Sequence, residues 1–365
     1  MNPADGSPSE GRQGLWRMVM TLALGLSGAL VGQELGLPLP YLLGPLLFAA
    51  VAALAGAPLL AVPYSREMGQ VVVGLGIGLR FTPAVMLATV KLLPGMILAT
   101  ILTMLATTGA AFLMHRIAHV DRRTAYFSTA AAGMIEMSVI AAQKGADSGI
   151  VAVTHLVRLT FIVATIPFLV TMFGTQGDVH QADIPFDSEA LPLICLLVAA
   201  AVFGYLVAPL RIPNSWILAP VLLGALVAVF GFGPFAMPRL FLSVAQVVIG
   251  TWIGSRFRRD VVIRLPRITV SAFIIAAYLI ATTLLSAWLV TLVTGLSFTT
   301  VVLAVAPGGI TEMVLTATAM HLDAATVTAF QIMRIAVVVS TIHLTFAAYA
   351  ALTNRLSRGR AFQDQ

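Results

Sequence analysis

From Trp16 to Ala351 the chain is a succession of uncharged or nearly uncharged apolar runs separated by short polar segments. Most runs approach the ~20 residues that carry a helix across a bilayer. Six occupy about 15–33, 40–60, 63–90, 93–114, 124–143 and 150–173, and six more occupy about 189–209, 214–232, 238–255, 268–293, 297–320 and 325–351. This pattern predicts an all-α polytopic membrane protein. One run is odd: "VAPGGITEMV", Val305 to Val314, sets a helix-breaking Pro-Gly-Gly and a carboxylate inside apolar sequence.

The two sets of six are copies. At an offset of 176 residues, "QVVVGLGIGLRF" (Gln70–Phe81) lies on "QVVIGTWIGSRF" (Gln246–Phe257) with eight of twelve positions identical. The same offset lays "AAAGMIEM" (Ala130–Met137) on "APGGITEM" (Ala306–Met313), and pairs Asp147 with Asp323 and Arg158 with Arg334. At an offset of 175, "LPLPYLLGPLL" matches "IPNSWILAPVL". The chain therefore divides into a polar N-terminus (1–14), a membrane repeat (15–173), a linker (174–188), a second membrane repeat (189–352) and a tail (353–365).

Composition and charge sharpen this. Of 365 residues 59% are hydrophobic and 10% charged, with a mean hydropathy of +0.97, which excludes a soluble domain. The net charge of +6 comes from Arg residues clustered between apolar runs, as the positive-inside rule requires, so no direct nucleic-acid partner is expected. The lone Cys195 excludes an internal disulfide framework. Equivalent loops carry opposite bias. Residues 115–123 hold Arg116, Arg122 and Arg123, whereas 291–299, "TLVTGLSFT", hold no charge; 256–267 hold five Arg, whereas 80–91 hold Arg80 and Lys91. The linker lacks Lys and Arg, while both termini carry Arg. The expectation is two inverted-topology repeats, with both termini cytoplasmic and the linker outside, as in secondary transporters.

Inversion needs an odd number of crossings per half, so one of the six segments in each half is re-entrant or broken. The natural pair is 124–143 and 297–320, interrupted at Gly133 and at Pro307, Gly308 and Gly309, because interrupted backbone survives at membrane depth only against protein or a watery cavity. About ten transmembrane helices plus two re-entrant or broken helices result.

Glu136 and Glu312 follow the two interruptions at equivalent positions. Intramembrane carboxylates are functional candidates, here as a proton or cation site. Equally, each stands at the N3 position of the half-helix beyond the break, where a carboxylate caps exposed N–H groups. Arg158 and Arg334 follow, with His155 and Gln331 three residues earlier on the same helical face. The repeat-related glutamates are their expected partners; alternatively the arginines form a pocket for a small anion. Gly74, Gly76, Gly78, Gly250 and Gly254 read as close helix-packing faces. His115 and His119 have helical metal-ligand spacing but lack a third ligand, so no metal is expected.

With its duplicated "GMIEM" and "PGGITEM" cores, the chain resembles the bacterial AbrB membrane-protein family over nearly its whole length. That family is distinct from the soluble DNA-binding regulator of the same name. Its members carry the labels of an ammonia monooxygenase and of a regulator of AidB expression, and more broadly resemble transporters with inverted repeats and crossed broken helices. The first motif departs in having Ala131 where Pro307 stands in the second. The resemblance implies a multi-pass protein of the bacterial inner membrane. Its expected role is transport of a small, anionic organic solute coupled to protons or sodium; the alternative is indirect regulation of gene expression. An ammonia-oxidising enzyme would need copper or iron ligands, and six scattered histidines form no such set. No enzymatic activity and no cofactor are expected; the expected partners are the solute, the coupling ion and the bilayer, with a homodimer as one assembly open to the chain.

Overall fold

The computed structural model describes residues 8–174, 177, 190–210, 212–231 and 237–363. Most of the polar linker expected at 174–188 lies outside them.

Sixteen α-helices account for the described chain. The first half holds α1 (Pro8–Glu34), α2 (Pro40–Ala55), α3 (Ser65–Gly78), α4 (Pro83–Lys91), α5 (Leu93–Ala118), α6 (Arg122–Thr129), α7 (Met134–Gln143) and α8 (Ser148–Phe173). The second holds α9 (Ala190–Val207), α10 (Ser215–Val229), α11 (Arg239–Ser255), α12 (Arg259–Arg264), α13 (Pro266–Thr294), α14 (Phe298–Val305), α15 (Ile310–Ala319) and α16 (Ala324–Gln363). Among the described residues six helices are long and apolar enough to cross a membrane, or seven if α3 and α4 are taken as one span. The protein is membrane-embedded. The structure differs from the sequence expectation at three places. The run at 63–90 is bent by 90° between α3 and α4, where Thr82-Pro83 starts a new helix with proline in its first turn. The basic loop at 256–267 contains α12. The tail expected from 353 continues α16 to Gln363.

Equivalent positions of the two halves adopt the same unusual backbone. Leu39 and Asn214, 175 residues apart, both precede their helix in the left-handed region, at φ 50° and 55°. Pro45 and Pro220 lie inside α2 and α10 at the same offset. Asp147 and Asp323 each accept two backbone N–H groups at the start of α8 and α16, at 2.9 and 3.0 Å and at 3.1 and 3.1 Å, which makes them N-caps.

The chain forms two compact units. Unit 1 comprises 1–90, 163–264 and 310–328, hence α1–α3, all but the last residue of α4, the end of α8, α9–α12, α15 and the start of α16. Here α3 packs on α10 and α11 packs on α2: the third helix of each half takes the second helix of the other. Glycines permit the approach. A β-carbon on Gly74 would lie 2.6 Å from the Ile217 carbonyl oxygen, and those on Gly78, Gly250 and Gly254 would strike the carbonyls of Val221, Leu42 and Leu46. The glycine faces are thus helix–helix seams, held by backbone proximity. Gly76 instead faces the Met237 side chain.

Unit 2 comprises 91–162, 265–309 and 329–365. In it α5 packs along α13, burying Ala110, Met114, Ile275 and Leu279. A second cluster joins Tyr126 and Phe127 of α6 to α16, with Phe127 stacked on Phe346 at 5.2 Å between ring centroids. This cluster fixes α6, and therefore where its last carbonyls point.

Candidate functional site

The site grows from two helices that stop in apolar surroundings. α6 ends at Thr129, and Ala130 leaves the helix at φ −51°, ψ 139°. α14 ends at Val305, and Ala306 leaves at φ −53°, ψ 128°. Pro307 lacks an N–H and the next two residues are glycines, so the second stop is local chemistry. The first is equally extended although Ala131 replaces the proline. Something else must hold it.

A helix end leaves four carbonyls unsatisfied, and each such group costs several kcal/mol where water is absent. In unit 2 these carbonyls are taken by the next long helix of the same repeat. Arg158 of α8 donates one terminal nitrogen to Thr129 O at 2.8 Å and Ala130 O at 3.1 Å. Arg334 of α16 donates to Ala306 O at 2.5 Å, Val305 O at 3.3 Å and Gly308 O at 3.4 Å. One turn earlier, His155 Nε2 lies 2.8 Å from Phe127 O, and Gln331 Nε2 lies 2.8 Å from Leu303 O. All four side chains are buried, the arginines at 4% exposure. The arrangement also satisfies electrostatics, since a helix C-terminus carries about half a negative charge.

This corrects the expected pairing of the arginines with the repeat-related glutamates. Both terminal nitrogens of Arg334 and one of Arg158 serve main-chain carbonyls, the other Arg158 nitrogen going to His155 Nδ1, because an interrupted helix in apolar surroundings presents several such oxygens at once. Carbonyl caps of this kind leave no residue signature to read in advance. The four sequence candidates Arg158, Arg334, His155 and Gln331 are brought together as two copies of one device. Their capacity is not exhausted. Among the described residues, Nε of Arg158, Nε of Arg334 and Oε1 of Gln331 meet no hydrogen-bond partner.

The glutamates stand across the breaks. Gly133 is the N-cap of α7 at φ −63°, ψ 146°, and Glu136 is three residues on, half-buried. Its carboxylate folds back over Gly133 so closely that a β-carbon there would collide with it. In unit 1, Glu312 occupies the first turn of α15 after the Pro307–Gly308–Gly309 break and is 4% exposed. Thr316 donates its hydroxyl to the Glu312 carbonyl at 2.8 Å. Both carboxylates thus sit where a helix N-terminus is positive. His115 and His119 are occupied elsewhere: His115 Nδ1 lies 2.7 Å from Val120 O, and Arg267 donates to His119 Nδ1 at 2.7 Å.

Comparison with known proteins adds a family. The family model described as "Transition state regulatory protein AbrB" matches residues 51–350. The chain is 29% identical over 350 residues to "Uncharacterized protein YhjN" of Bacillus subtilis (strain 168), covering 89% of this chain and 90% of that protein. It is 27% identical over 327 residues to "Putative regulator AbrB" of Escherichia coli (strain K12), covering 88% and 92% respectively.

Proposed function

The chain belongs to the AbrB family, and on that premise we propose that it is a secondary transporter of a small anionic organic solute, coupled to a proton or sodium gradient. The observation that carries the reading is the pair of interrupted helices whose last carbonyls are held by buried Arg158 and Arg334, each with an unengaged Nε. Guanidinium N–H donors in a low-dielectric setting suit a carboxylate or similar anion. The Gln331 Oε1 atom adds an acceptor for a hydroxyl or protonated oxygen on the same solute. Glu136 and Glu312 supply carboxylates able to take up and release a proton or bind a cation at the far ends of the breaks. No catalytic step, metal or cofactor is assigned to the protein.

The finer architecture that goes with this function is about ten crossings, two broken helices, and repeats of opposite orientation in the bacterial inner membrane with both termini cytoplasmic. Loop charge supports it, as does the exchange in which α3 takes α10 while α11 takes α2. α2, α10 and α11 are 16, 15 and 17 residues long, so each would cross a locally thinned region.

A second reading, indirect control of gene expression, takes its support from the name of the Escherichia coli relative. Control would then act through the solute moved. Reconstitution in liposomes separates the two: the transporter reading expects solute-dependent proton or sodium flux in the wild type, reduced in Glu136→Gln and Glu312→Gln. Flux that both variants leave unchanged sinks the coupling role, and no flux with any of a panel of organic anions sinks transport itself.

A further inference from the structure

Unit 1 contains an open pocket of about 650 Å³ that the transport reading does not use. It lies between the C-terminal end of α2 and the segment carrying α12. Leu59, Phe257 and Ile263 make its apolar wall, and Arg258, Arg259 and Asp260 its polar side. Arg258 grips Asp260 with two donors, Nε at 3.2 Å and a terminal nitrogen at 2.9 Å. That pairing sets one guanidinium against the one carboxylate of the lining and leaves Arg259 as the excess charge. Arg259 reaches over Gly56, the cap of α2, where a β-carbon would stand 3.5 Å from its terminal nitrogen. Gly56 sits at φ +96°, a conformation that keeps this floor free of a side chain.

The apolar side is as telling. Ile263, which lines the pocket with these arginines, is 63% exposed, Leu60, next in the chain to the lining residue Leu59, is 39% exposed, and Val51 on α2 is 66% exposed. Cationic and bare apolar surface side by side fits an amphiphile. The segment 256–267 is also the more basic of its repeat pair, the side that faces anionic lipid under the positive-inside rule.

We infer that this pocket binds the phosphodiester headgroup of an anionic phospholipid, with Arg259 as the principal phosphate donor, Arg258 as its neighbour and the acyl chains on the exposed apolar surface of α2 and α12. The site stands independently of what the protein transports.

Native mass spectrometry of the full chain in detergent, titrated with phosphatidylglycerol or phosphatidylcholine, tests it. Wild type should retain phosphatidylglycerol and release phosphatidylcholine. Arg259→Gln should weaken phosphatidylglycerol about five-fold, the effect of one basic residue near a lipid phosphate, and Arg259→Lys should keep most of the binding. Melting temperatures of the variants, expected to match wild type, separate lost binding from lost folding. Equal retention of the two lipids, or phosphatidylglycerol retention indifferent to Arg259→Gln, overturns the proposal. Binding of inorganic phosphate with the same Arg259 dependence but without lipid binding assigns the pocket to a free anion and overturns the lipid.

Discussion

Arg158 and His155 share one hydrogen bond, 3.0 Å between a terminal guanidinium nitrogen and Nδ1, and it fixes the state of the imidazole. Arginine has no acceptor, so Nδ1 must accept. The ring proton then sits on Nε2 and is donated to Phe127 O, 2.8 Å away. His155 is therefore a neutral amide-like donor, the part that Gln331 plays toward Leu303 O in the second repeat.

The equivalence predicts an asymmetric substitution pattern. His155→Gln should leave stability nearly unchanged, because a glutamine already makes the matching bond 176 residues later. His155→Leu strands a buried carbonyl and an arginine donor and should destabilise by about 1–3 kcal/mol. Thermal unfolding of the two variants in detergent checks the order; equal melting temperatures would contradict the assignment.

Arg334 is the sharper case. Arg334→Lys retains the charge but cannot span Val305 O, Ala306 O and Gly308 O together. Both Arg334→Lys and Arg334→Gln should lower stability by about 2–3 kcal/mol. An ion-pair role would instead spare the lysine variant. Denaturant unfolding of the purified protein distinguishes the two.

The segments and their order were legible in the sequence because apolar length and internal repetition leave strong marks, as in Gln70–Phe81 and Gln246–Phe257. The interruption at Pro307–Gly309 was legible for another reason, a proline having no N–H to give. The bend before Pro83 left a signal in Thr82-Pro83 that apolar continuity outweighed. The role of Arg158 and Arg334 was not legible. A buried cation suggests a carboxylate, and Glu136 and Glu312 were in view, whereas main-chain oxygens are the same in every residue.

Asp121 supplies a pH test outside the membrane-spanning segments. It caps α6, accepting from the backbone N–H of Arg123 at 2.9 Å and of Thr124 at 3.0 Å, and from the Thr124 hydroxyl. Partial burial works to raise its carboxyl, but the Thr124 hydroxyl and the two N–H donors outweigh it and hold the group below its ordinary value. A depressed folded value means that the stabilisation is complete above the unfolded value of about 3.9 and is lost as pH falls through the lower folded value. Asp121→Asn keeps a capping oxygen but cannot titrate. Its stability deficit relative to wild type should shrink as pH drops from 6 toward 3, and a deficit constant across that range would refute the carboxylate's part.

Orientation of the repeats is open to chemical labelling. In a Cys195→Ser background, Arg116→Cys and Val293→Cys, both exposed, should react with an impermeant maleimide from opposite faces of right-side-out vesicles. Labelling from one face would refute inversion.

The exchange of partners in unit 1 bears on how the chain is made. The seam on Gly74 and Gly78 waits for Ile217 and Val221, and the seam on α2 waits for Gly250 and Gly254. During synthesis the first repeat must therefore sit in the bilayer with these seams open to lipid until about 140 further residues have followed Gly74 and Gly78, and about 210 have followed the α2 seam. Residues 1–174 expressed alone should be a substrate for membrane proteases, and co-expression with the second half, supplied as a separate polypeptide, should protect both.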